Sequence, residues 1–114
     1  VEIKNEILRM TVMVQGQLKR VIDAYVTKNK EKALEVRNAD AAIDQHYQLI
    51  YNQIIEDIKN KPNKIKTLAN TKLLFTIKTI ERAGDHITNI AEEIFYTVTG
   101  ETLTTPRPKG ESEK

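Results

Sequence analysis

A chain of 114 residues with 18 basic and 16 acidic side chains carries a formal charge of +2, too balanced to supply the basic stripe that nucleic-acid binding requires. It has no cysteine, which excludes disulfides, thiolate zinc sites and thiol catalysis and makes a reducing compartment the default. Charged residues at 30%, aromatics at 5%, four Gly and three Pro favour one small helical domain, and no apolar run reaches the roughly 18 to 20 residues of a membrane span.

The first residues, Val1 to Ile7, already read as helix with no initiator Met and no N-cap. That reads as a piece cut from a longer protein, with trimming of a short leader as the competing explanation. Helix 1 is expected over residues 2–28, where Ile3, Ile7, Met10, Val14, Leu18, Val21 and Tyr25 recur at steps of three and four. Asn29 reads as turn residue and N-cap, and Glu31 suits the following helix dipole.

Helix 2 is expected over 30–59, with the stripe Val36, Asp40, Ile43, Tyr47, Ile50, Ile54 and Ile58. Asp40 falls inside the apolar seam. Asn60 to Asn63 breaks the pattern, and Pro62 suits the first turn of a third helix. Helix 3 is expected over 62–98, with Leu73, Ile77, Ile80, Gly84, Ile87, Ala91, Ile94 and Val98 facing inward and Gly100 as the stop. At 1.5 Å per residue such a helix is about 55 Å long. Short turns between long helices give an all-α, up-down-up antiparallel three-helix bundle over residues 1–101. Residues 102–114 have no apolar period and read as a flexible polar tail.

Two acid-x3-acid pairs stand out, Asp40 with Asp44 and Glu81 with Asp85. Residues four apart share a helix face, and adjacent like charges mildly destabilise a bare helix, so the repeated arrangement calls for a cation or a basic partner. If the hairpin between helices 2 and 3 pivots beside Pro62 and Asn63, Asp40 lies level with Asp85 and Asp44 with Glu81. A pivot two residues earlier puts Asp40 opposite Glu81. Gly84 costs about 1 kcal/mol against Ala in a helix interior. Its place in the seam suggests a close approach of helix 2 beside the acids, or simple relief of crowding.

Three remedies exist for crowded carboxylates: a bound metal, salt bridges from Arg37 and Arg82, or full solvation. The polar line Glu81, Asp85, Asn89 adds Asn89, with Arg82, as a further polar face. His46 and His86 point off the faces of their acidic neighbours and read as surface or supporting residues. The Glu-x-x-His spacing of di-iron bundles is absent. The four tyrosines read as bundle packing. No phosphate loop or nucleophile motif is present, and nothing argues for an enzyme.

The run Ile80-Glu81-Arg82-Ala83-Gly84-Asp85-His86-Ile87-Thr88-Asn89-Ile90-Ala91-Glu92-Glu93-Ile94, continuing to Val98-Thr99-Gly100-Glu101, resembles PhoU, the phosphate transport system accessory family of bacteria. The likeness covers about residues 8–103 and takes in Arg37 to Asp44. PhoU proteins carry two tandem three-helix repeats, and this chain corresponds to the second. The resemblance implies a cytoplasmic, often homodimeric regulator acting between a phosphate ABC transporter and a sensor histidine kinase, restraining the phosphate-starvation response. It also implies metal bound through Asp40, Asp44, Glu81 and Asp85, as iron or another divalent cation such as Mg, Mn or Zn. A chain lacking the first repeat lacks that repeat's acidic pairs. The alternatives are a bundle serving ion storage and a purely structural dimerisation module.

Overall fold

The computed structural model describes residues 2–60 and 63–103. Three helices follow one another: α1 Ile3–Thr27, α2 Lys30–Asn60 and α3 Lys64–Thr99. Cross-helix bonds fix their directions. Glu6 meets His46, Gln17 meets Val36 and Asp23 meets Lys32, so α1 and α2 run antiparallel. Asp57 meets Asn70 and Arg37 meets Glu92, so α2 and α3 do too. The expected up-down-up bundle is what forms. Its long axis of 54 Å is the length of α3, whose 36 residues rise about 1.5 Å each.

The turns follow local chemistry. Lys28 takes the left-handed conformation at φ 53°, and the Asn29 N–H reaches back to the Ala24 carbonyl at 3.0 Å. Asn29 Oδ1 then accepts from the Lys32 N–H at 3.0 Å, the cap expected of it. Asn63 caps α3 by accepting from the Ile65 and Lys66 N–H groups. The helix therefore starts at Lys64, two residues later than expected, because a side-chain cap must stand outside the first turn; residue 62 lies outside the described residues. Gly100 closes α3 at φ 75°, its N–H bonded to Tyr96 O, as expected. From residue 104 onward the expected tail is likewise outside the described residues.

The core is two apolar clusters. Val21, Ala24, Ala33, Val36, Ile87, Ala91 and Ile94 fill one end. Met10, Ile43, Tyr47, Ile50, Ile54 and Ile77 fill the other. The α2 stripe is as expected. On α1 the inward line is Glu6, Met10, Gln17, Val21 and Ala24, and Leu18 and Tyr25 are exposed instead of buried. The buried face of α1 is centred on the side of Glu6, Gln17 and Ala24, which leaves Leu18 and Tyr25 at the far edge of the expected stripe. Gln17 accepts burial because its Nε2 donates to Val36 O at 2.7 Å. Val98, one residue from the end of α3, is also exposed. Of the four tyrosines only Tyr47 packs in the core; Tyr25, Tyr51 and Tyr96 do not.

Candidate metal centre

Asp40 and Asp44 stand one turn apart on α2, within the stripe that faces α3. That spacing stacks both carboxylates on one side, and burial leaves them 3% and 8% exposed. Asp85 comes from α3 and is half-buried. One carboxylate oxygen from each of the three lies within 4.8 Å of the others. The pivot beside Asn63 is thus the register adopted, with Asp40 level with Asp85.

Gly84 makes the approach visible. A Cβ placed on it would stand 3.4 Å from Asp40 Oδ1 and 3.6 Å from Ile43 Cδ1. The backbone of α3 therefore runs directly alongside Asp40. Those distances are ordinary contact, so a methyl group would fit, and close approach alone does not demand glycine.

Glu81, the fourth acid expected, is buried but is not among the three converging carboxylates. Its Oε1 accepts from Lys78 Nζ at 2.9 Å. Helical side chains lean toward the N-terminus, so the longer glutamate arm reaches back to Lys78, one turn before it. Lys78 Nζ also stands 5.4 Å from the centre of the Tyr47 ring. The hydrogen bond to Glu81 raises the Lys78 pKa above its ordinary value, against burial, with Tyr47 and Asp85 adding to the rise.

On the other side of the trio, buried Arg37 donates from Nε to Glu92 Oε2 at 3.1 Å. The seam between α2 and α3 is thus polar along its middle: Arg37 with Glu92, then the three aspartates, then Glu81 with Lys78. Arg82, Asn89 and His86 are exposed. Asn89 shares an open groove with Glu92, Glu93, Tyr96 and Leu103, and Arg82 lies on the outer side of α3. His46 is bound up elsewhere, its Nε2 2.9 Å from Glu6 Oε1 on α1. Sequence reasoning missed the Glu6–His46 and Lys78–Glu81 partnerships; the second has a legible signal, since Lys78 precedes Glu81 by three residues.

Three carboxylates this close, two of them buried, favour a cation between them by mutual repulsion. The donors are all oxygen, which suits hard ions such as Mg, Mn or iron better than zinc, whose sites draw on His and Cys. The residues present fit a metal.

The sequence profile described as the PhoU domain matches residues 7–94. Among similar proteins, the phosphate-specific transport system accessory protein PhoU homolog of Caulobacter vibrioides NA1000 is 46% identical over 101 residues, covering 89% of this chain and 43% of that protein. The homologs of Rhizobium meliloti and Clostridium acetobutylicum are 42% and 36% identical, covering 82% and 87% of this chain and 38% and 44% of theirs. The chain thus spans less than half the length of these relatives. No solved structure matches it. With its three-helix fold, the paired acids across α2 and α3 and a profile match over most of its length, the chain belongs to the PhoU family.

Proposed function

We propose that this chain is a non-enzymatic regulatory module of phosphate uptake and phosphate-starvation signalling, working in the cytoplasm through a cation held between α2 and α3. The observation that carries the reading is the convergence of Asp40, Asp44 and Asp85 within 4.8 Å on two helices. The relatives' name, phosphate-specific transport system accessory protein, supports the phosphate side of it. In this reading the three aspartates hold the ion, an iron or another hard divalent cation, which pins α2 to α3 and cancels the charge of the seam. Glu81, held by Lys78, lends its charge from one turn away. Arg82 and Asn89 on the exposed side of α3 offer polar contacts to partners, for which the reading takes a phosphate ABC transporter and a sensor histidine kinase. Pairing of two copies of the chain belongs to the same reading.

Two experiments test it. Metal analysis of purified protein should find a bound ion that is lost in Asp40→Asn/Asp85→Asn; unchanged metal content removes the ion from the account. Deleting the gene that encodes the chain should raise phosphate-starvation transcription in phosphate-rich medium. Persistent repression in the deletion strain overturns the regulatory role.

A further inference from the structure

The charges of this chain balance overall but not along its length. Residues 58–80 hold Lys59, Lys61, Lys64, Lys66, Lys72 and Lys78, a third of the basic side chains, and none of the 16 acidic ones. The rest of the chain is therefore net acidic. This segment takes in the end of α2 and the first half of α3. Lys78 is taken up by Glu81. Among the described residues Lys64, Lys66 and Lys72 make no ion pair, and all three are exposed.

The same part of α3 carries apolar side chains that the bundle does not use. Ile65, Leu68 and Phe75 are 81%, 59% and 72% exposed. With Lys72 and Thr79 they follow steps of three and four, which makes one line along the helix. Asn70, Ile77 and Glu81 are buried on the opposite side. The line is about 21 Å long at 1.5 Å per residue. An exposed apolar patch rimmed by polar residues marks an interaction surface.

The order within the line says what covers it. Lys72 stands between Leu68 and Phe75, so an apolar protein surface laid over both would bury its ammonium, which is costly with no carboxylate on that line. A lipid surface accepts both kinds of side chain, because a lysine there keeps its charged end among the headgroups while apolar neighbours go deeper. We propose that this face of α3 lies flat on an anionic lipid surface. Ile65, Leu68 and Phe75 enter the acyl boundary, and Lys64 and Lys72 meet headgroup phosphates. Lys59 and Lys66, at the same end of the bundle, add attraction from a distance within the screening length. No described helix is long and apolar enough to cross a membrane, so the docking is peripheral. The 54 Å bundle axis follows α3 and lets the whole line meet a plane at once.

The inference is independent of the ion and of the phosphate role. The chain has no Trp, so Phe75→Trp supplies a single fluorescent reporter. Its emission should shift to the blue with vesicles of phosphatidylcholine and phosphatidylglycerol in equal parts, and stay unchanged with phosphatidylcholine alone. In co-sedimentation with the mixed vesicles, Lys64→Gln/Lys72→Gln should bind about tenfold or more weakly. Phe75→Ser should lose about tenfold as well. These positions are exposed, and the helical circular dichroism should not change. Ile22→Ser, at an apolar position of α1 that is 53% exposed, should bind as the wild type does. No binding, or equal binding to the two kinds of vesicle, overturns the proposal. Binding without a blue shift, matched by binding to polyglutamate, assigns the face to an acidic protein and overturns it too. An equal loss in Ile22→Ser overturns this face. Asp40→Asn/Asp85→Asn should bind vesicles as the wild type does, which separates failure here from failure of the metal reading.

Discussion

Gly84 of α3 lies against the Asp40 carboxylate of α2, where a Cβ would stand 3.4 Å from Oδ1. The contact is close without being a clash, and that sets the outcome of substitutions. Gly84→Ala should leave stability unchanged or raise it by up to about 1 kcal/mol, the helix-propensity gain of alanine. Gly84→Leu overfills the seam and should cost about 1 to 3 kcal/mol while displacing Asp40. Urea unfolding of both variants checks this. A large loss in Gly84→Ala would mean the helices approach more closely than 3.4 Å implies.

If the three aspartates hold a cation, the ion must stabilise the folded chain. At a hundredfold excess over its dissociation constant, the gain is about 2.7 kcal/mol. For a domain of this size that raises Tm by roughly 10 °C or more. Thermal melts of the chelator-treated protein with added Mn, Mg or ferrous iron should show the rise. Asp44→Asn should abolish most of it, whereas Glu81→Gln, whose carboxylate is taken up by Lys78, should retain it. Equal loss in the two variants would put Glu81 among the ligands.

Two ion pairs link the helices and should differ sharply. Arg37 is buried and bonded to Glu92, while the Lys32 pair with Asp23 is exposed. Arg37→Ala removes a buried, hydrogen-bonded guanidinium and leaves Glu92, 30% exposed, to water, so it should cost about 1 to 3 kcal/mol. Lys32→Ala should cost under about 1 kcal/mol. Chemical denaturation of the two variants side by side provides the measurement, and similar losses would contradict the burial of Arg37.

The hydrogen bond from Lys78 to Glu81 raises the lysine pKa above 10.5 in the folded chain. A raised folded pKa means stability that is fully present below the ordinary lysine value and is lost as pH rises through the higher one. Lys78 is more than half exposed, so the pair contributes under about 1 kcal/mol. Wild type should therefore be slightly more stable than Lys78→Met from neutral pH to about 10, and the difference should shrink at higher pH. Urea midpoints of the two proteins across that range decide it, and a difference that grows above pH 10.5 would reverse the sign.

Apolar periodicity determined the helices themselves, because Ile, Leu and Val at steps of three and four have one sensible outcome at this length. Asn29 and Gly100 marked their turns through cap chemistry that acts within four residues and needs no distant partner, whereas the Asn63 cap that starts α3 at Lys64 was not read. The acid spacing on each helix was legible for the same reason. Which acids meet was not: Asp85 reaches the α2 pair while Glu81 turns back to Lys78, a choice made by hairpin register and by one methylene of side-chain length. The inward face of α1 was also a tertiary decision. Gln17 displaced Leu18 from the core because it could donate to Val36 O on a neighbouring helix, a partner that local sequence does not show.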